Sequence, residues 1–258
     1  MPSFLGYHGF TGSICASINN EIVHGIPGPY ALRKGDVLSV DCGVILDGWV
    51  ADAARTFAVG SISSTARKLL DTTAASLFAA VEQCRVGNRL GDVSHAVQEV
   101  VEAQGLSVVR SLVGHGIGRD MHEDPQIPNY GPAGKGIKLE EGMVFAIEPM
   151  VTAGRHAVRI GDDHWAIYSQ DRSLAAHFEF TVAVTAEGPR VLTPWHLASG
   201  RAAAHSQNTR RPQPWHGSLP PLLETCMAMS APWPAVGSPT LTRITPCALR
   251  MLCSPART

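Results

Sequence analysis

VLSVDCGVILDGWVADAARTF, residues Val37–Phe57, reads as two strands joined by a tight turn. Apolar runs flank Asp47-Gly48, and an Asp-Gly pair between such runs signals a two-residue hairpin. A two-residue loop sets Leu46 opposite Trp49, and counting back sets Asp41 opposite Ala54. Asp52 lies two residues from Ala54 and shares its face of the sheet. Asp41 and Asp52 are then diagonal cross-strand neighbours, with backbones roughly 7–8 Å apart. Val37, Val40, Val44 and Ile45 mark both strands as buried. Bare carboxylates in such a place repel each other and are costly; carboxylates on a cation are not. The bland alternative is a pair of solvent-facing acids on an edge hairpin.

Two more acids weigh against that alternative. Glu148 lies in VFAIEPM and Glu179 in AAHFEFTVAV, each the one acid in an apolar run that reads as a strand, over about 143–151 and 177–184. A weak internal repeat supports the pattern. Leu32 to Asp41 (LRKGDVLSVD) matches Leu139 to Glu148 (LEEGMVFAIE), and each copy ends on a carboxylate. This points to a two-lobed domain in which each lobe delivers acids to one place. His115, in the glycine-rich stretch 114–118 that reads as a loop, is the candidate nitrogen ligand; small neighbours let backbone approach a bound group closely. Four carboxylates and one imidazole form a hard, oxygen-rich set. It suits Mn(II), Fe(II) or Co(II), with Zn(II) admissible. Four acids exceed the needs of one catalytic zinc and fit two ions that share carboxylates.

Around this core, two amphipathic helices are expected. The first starts at Ser63 or Ser64, carries Ala66, Leu69, Leu70, Leu77, Ala80, Val81 and Cys84 on one face, and stops near Gly87. The second carries Val93, Ala96, Val97, Val100 and Val101 and ends at Gly105. The chain has 258 residues and a formal net charge of -1, so nothing global favours nucleic acid or an anionic membrane. The start, MPSFLGYHGF, lacks the pattern of a signal peptide. No stretch approaches the roughly 18 consecutive apolar residues of a membrane span. The six cysteines form no CxxC pair, which fits reduced thiols in the cytoplasm. Composition changes near residue 198. From 199 to 258 there is one acidic residue, Glu224, no lysine and nine prolines, so the expected organisation is a domain over 1–198 and a poorly ordered tail over 199–258.

INNEIVHGIP, SVDCGVILDGWVADAARTF, GHGIGRDMHEDP, LEEGMVFAIEPMV and DRSLAAHFEFTVAVT together resemble the type I methionine aminopeptidases of the M24 metallopeptidase family. The resemblance spans roughly residues 3–195 and implies a pita-bread α+β fold, two pseudo-symmetric halves enclosing a dinuclear metal site. It implies that Asp41 serves one metal, that Asp52 and Glu179 bridge, and that His115 and Glu148 serve the other. Glu148 is the expected proton shuttle, and His24 and His122 the expected contacts to substrate and intermediate. Tyr7, Phe10, Cys15, Met121 and Trp165 match positions lining a methionine side-chain pocket, although ordinary core packing is the alternative for each. His177 and Phe180 depart from the family pattern. Family members usually carry a helical segment ahead of GYHGF, so an N-terminally shortened catalytic domain is expected. The implied activity is removal of initiator methionine before a small second residue, from nascent chains near the ribosome, by a cytoplasmic monomer. Two rivals stand beside it: a proline-specific peptidase of the same fold, and an inactive fragment acting as a binding protein.

Overall fold

The computed structural model describes residues 1–198; the proposed tail lies outside the described residues. A 3-10 turn over Tyr7–Gly9 precedes β1 (Cys15–Ile18), β2 (Glu21–Val23) and the hairpin of β3 (Val37–Leu46) and β4 (Trp49–Ala58). Two helices follow, α1 (Ser64–Gln83) and α2 (Leu90–Glu102). Then come β5 (Ser107–Val108), β6 (Val113–Gly116), β7 (Glu123–Pro128), β8 (Val144–Ile147) and β9 (Met150–Thr152). The described part closes with β10 (Val158–Ile160), β11 (Ile167–Ser169), β12 (Ala175–His177), β13 (Phe180–Thr185), β14 (Gly188–Val191) and a short α3 (Trp195–Ala198).

The hairpin forms in the expected register: Leu46 pairs with Trp49 and Asp41 with Ala54. Asp47 and Gly48 take positive φ, 51° and 77°, as a tight two-residue turn demands. β1 adds to β3 in antiparallel fashion, so Cys15 comes opposite Asp41. The second large sheet has the order β14-β13-β8-β6-β7.

The internal repeat has a structural counterpart. Gly35 and Gly142 both take positive φ, 104° and 91°, just before β3 and β8. Gly35 N–H donates to Val59 O and Val59 N–H to Asp36 O; likewise Gly142 N–H donates to Val184 O and Val184 N–H to Met143 O. Each half thus enters its acid-bearing strand through the same glycine turn, hydrogen-bonded to the end of its antiparallel partner.

α1 is capped by Ser63, whose hydroxyl accepts from Ala66 N–H. It ends at Gln83, short of Gly87, because Asn88 turns back and its side chain donates to Gln83 O. Leu69, Leu77 and Ala80 from α1, Cys84 just after it, and Val93, Val97 and Val101 from α2 share one core with Phe145, Ile147, Phe180 and Val182 of the five-stranded sheet. The helices therefore cover the outer face of the sheet, and its other side is left for the site.

Three expectations need correction. The glycine-rich stretch 114–118 is not a loop: its first part is β6, between β7 and β8. A Cβ at Gly114 would lie 2.4 Å from Ala146 O, and one at Gly116 would lie 2.2 Å from Asp124 O, so glycine lets this strand sit close to its neighbours. The run 143–151 is two strands, β8 and β9, in different sheets, broken at Glu148-Pro149. The run 177–184 also divides, with Phe178 and Glu179 between β12 and β13. Both glutamates therefore sit at strand breaks, where side chains can turn towards one point.

The helical layer makes a simple prediction. Leu77 has no exposed surface, so Leu77→Ala is expected to cost about 2–5 kcal/mol. Ser63→Ala removes a cap and is expected to cost about 0.5–2 kcal/mol. Urea unfolding of both variants checks the order; a Leu77→Ala loss no larger than the cap's would contradict this packing.

Candidate metal centre

A cross-linking seam joins the two halves at the site. Glu179 N–H donates to Ala54 O at 2.8 Å. On one side of that bond, the Thr181 hydroxyl accepts from Asp52 N–H and donates to Asp52 O, at 2.9 and 2.8 Å. On the other side, the Thr56 hydroxyl accepts from His177 N–H and donates to His177 O, at 2.9 and 2.8 Å. Asp52, Ala54 and Thr56 therefore face Thr181, Glu179 and His177 in antiparallel order, with threonine hydroxyls replacing a missing strand register. Trp195 Nε1 donates to Glu179 O and closes the seam from α3.

This seam places Asp52 and Glu179 side by side. With His115 from β6, they present ligand atoms all within 4.8 Å of one another, and all three residues are buried. Asp41 reaches Asp52 by a side-chain hydrogen bond, and the charges of Asp52 and Glu148 act on it. Glu148 Oε1 lies 3.5 Å from His115 Nε2, and its Oε2 lies 3.3 Å from His177 Nε2. Glu148 is fixed through its backbone, whose oxygen accepts from Asn129 Nδ2. All five ligands expected from the sequence thus come together.

The donor set fits divalent cations. Asp41 Oδ1 and Glu179 Oε1 are buried with no hydrogen-bond partner among the described residues. Burial pushes the carboxyls of Asp52 and Glu148 up to about 7, and the charge of Glu148 adds to the effect at Asp52. Asp41 and Glu179 are raised well above the usual carboxylate range, by burial first and then by neighbouring carboxylates. Four acids that resist ionisation together, on buried backbone, are what a bound cation compensates.

The remaining sequence candidates line the approach. His122 lies over His115, with ring centroids 4.2 Å apart, and its Nδ1 is 2.7 Å from the Tyr7 hydroxyl. Partial burial and nearby His24 and His8 lower its pKa. His24 has φ 61°, and burial holds its imidazole down to about 4. Phe10, Cys15 and Met121 form one apolar cluster, with Tyr7 and Trp165 packed against it. Phe10 meets Trp165 edge to face at 5.1 Å. Burial raises the Cys15 thiol, as do the charges of Asp41, Asp52 and Glu179, so the apolar cluster borders the acids. A cavity of about 310 Å³ is lined by His115 and His122 with Val113, Glu123, Asp124 and Gln126.

The sequence pointed to His177 only as a departure from pattern, and Thr56, Thr181, Asn129 and Trp195 escaped notice. His177 carried a usable signal: it alternates with Glu179 at strand spacing, so both could serve one centre. The threonines offered none, since their role depends on partners far along the chain.

The shifted carboxyls give a sign for pH dependence. Groups raised in the folded state contribute stability that is full below their unfolded pKa and lost as pH rises through the folded value. For Asp52 and Glu148 that loss begins in the ordinary carboxylate range and is complete just above 7. His24 and His177, lowered from 6.5 to about 4, act oppositely, and their contribution is complete above about 6.5. Below about 6.5 the two sets oppose each other and above it only the carboxyls act, so metal-free protein is expected to lose stability as pH rises past about 6.5, with Asp41 and Glu179 carrying the loss beyond 7. Asp52→Asn should flatten the trend. Thermal melts in chelator check this; a flat or rising wild-type profile would contradict it.

Comparison with known proteins agrees with this geometry. Residues 4–186 match the model of metallopeptidase family M24. A methionine aminopeptidase of Clostridium acetobutylicum is 56% identical over 194 residues, which cover 75% of this chain and 78% of that relative. The crystal structure of methionine aminopeptidase from Rickettsia prowazekii superposes with a TM-score of 0.73 at 42% identity, covering 74% of this chain and 77% of that one. Prolidase from Pyrococcus furiosus, at 24% identity and a TM-score of 0.56 over 69% of this chain and 48% of its own, shares the fold alone. The architecture is the pita-bread fold, and this chain belongs to metallopeptidase family M24.

Proposed function

We propose that this chain is a methionyl aminopeptidase that removes the initiator methionine of new polypeptides with two divalent ions, Mn, Fe, Co or Zn. The observation that carries it is the junction at Cys15. That residue belongs to the apolar cluster of Phe10 and Met121 and also feels the charges of Asp41, Asp52 and Glu179. Cys15 pairs with Asp41 in the β1–β3 register, so a soft apolar cluster suited to a thioether adjoins a ligand set suited to hard cations. Relatives named methionine aminopeptidase at about half identity support the same substrate.

In this reading Asp41, Asp52, His115, Glu148 and Glu179 hold the ions, with Asp52 and Glu179 shared. When bound, such ions polarise a carbonyl and make water a stronger nucleophile at neutral pH. The rest falls to the chain's own side chains. Tyr7, Phe10, Cys15, Met121 and Trp165 receive the methionine side chain and exclude water around it. Glu148, set between His115 and His177, accepts and returns a proton. His122, whose Nδ1 pairs with the Tyr7 hydroxyl, offers its Nε2 proton to the developing negative charge when the tyrosine is the donor. His24 contacts the substrate amide. A small residue after methionine, action on nascent chains near the ribosome, a cytoplasmic setting and a monomeric state complete the proposal. Among the described residues, no helix is long and apolar enough to cross a membrane, and Cys15, Cys42 and Cys84 are joined in no disulfide.

The test is release of methionine from Met-Ala-Ser by chelator-treated full-length protein, with and without each metal. Release should require metal and vanish in Asp52→Ala. His122→Ala should lower kcat by about 10²–10³. Metal at about 100 times its Kd should stabilise the fold by about 2.7 kcal/mol. Preference for a peptide with proline after its first residue would favour the proline-specific rival. A folded, metal-loaded protein with no peptidase activity would favour a binding role.

A further inference from the structure

The ligand set above leaves one imidazole unused. His177 ends β12 and is 1% exposed. Its backbone is locked on both sides by the Thr56 hydroxyl. Neither ring nitrogen makes a hydrogen bond among the described residues, although an idle donor in a buried place is costly. Nε2 points among the acids, 3.3 Å from Glu148 Oε2 and 4.0 Å from Glu179 Oε2. The other oxygen of Glu148 lies 3.5 Å from His115 Nε2. The Glu148 carboxylate therefore stands between two imidazoles, one for each oxygen.

We propose that His177 is the positioning residue of Glu148: its Nε2–H engages Oε2 and leaves Oε1, on the side of His115, for the cation. The inference rests on the metal-centre reading above. A neutral imidazole carries a single N–H, so one contact uses the ring's whole donor capacity. The ring is held by a fixed backbone in a closed pocket, so it can hold Glu148 to one rotamer. Groups that orient a ligating carboxylate in this way typically change metal affinity 10–100-fold when removed.

The test uses the full chain and three variants. His177→Gln keeps an N–H donor at similar reach; His177→Leu keeps bulk and loses the donor; His177→Asn keeps a donor but shortens it. Co(II) affinity is measured by titration calorimetry on metal-depleted protein, with visible absorption at saturation. Binding should be roughly 10–100-fold weaker in the Leu and Asn variants and near wild type in the Gln variant. The Co(II) spectrum at saturation should be the same in all, because no ligand is lost. Should the Leu variant fail to fold, the Gln–Asn contrast decides. Wild-type affinity in the Asn variant, equal losses in Gln and Asn, or a shifted spectrum would overturn the positioning role. Absence of Co(II) binding by the wild type would instead overturn the metal-centre reading itself.

Discussion

Four carboxylates packed together and largely withdrawn from water are the constraint on which this structure depends. Asp41, Asp52, Glu148 and Glu179 all have carboxyls raised by burial, and each of Asp41, Asp52 and Glu179 is raised further by a neighbour. An isolated carboxylate in an apolar interior meets a large desolvation cost, and several together add repulsion. The chain accepts that cost at one point, where the two halves meet. Divalent cations remove it, and this ties the stability of the site to the chemistry it performs.

Placing those acids is the work of the fold. The two glycine turns at Gly35 and Gly142 feed β3 and β8 in the same way, so each half directs its acids inward. The seam then sets the separation between halves. Thr56 and Thr181 each hold both backbone groups of a residue across the gap, so His177 and Asp52 cannot shift independently. The helices cover the opposite face and contribute packing, not chemistry. Asp41, Asp52 and His115 lie within strands and Glu148 and Glu179 at strand breaks, whereas Tyr7, Phe10 and Trp165, proposed for the substrate pocket, come from segments outside the strands.

Much of this was legible in the residues because it is local. The Asp47-Gly48 turn fixes a register, and that register alone puts Asp41 and Asp52 on one face. Ser63 and Gly105 mark helix ends by the same kind of short-range chemistry. Motif resemblance brought His24, His115 and His122 into the site, where spacing had said little. What stayed hidden depends on distant neighbours. Gly114 and Gly116 look like loop residues until the carbonyls of Ala146 and Asp124 are seen pressing on them. The breaks at Glu148 and Glu179 are invisible in apolar runs that would serve equally well as unbroken strands. His177 drew notice only as an unusual residue, since nothing nearby in sequence shows that its ring ends beside Glu148.

Diffraction from crystals grown with Mn(II), collected where manganese scatters anomalously, tests the central claim most directly. The account predicts two anomalous peaks bridged by Asp52 and Glu179, one beside Asp41 and the other beside His115 and Glu148. A single peak would contradict the dinuclear arrangement. Peaks remote from these five side chains, or none at saturating Mn(II), would contradict the claim that the buried acids exist to hold metal.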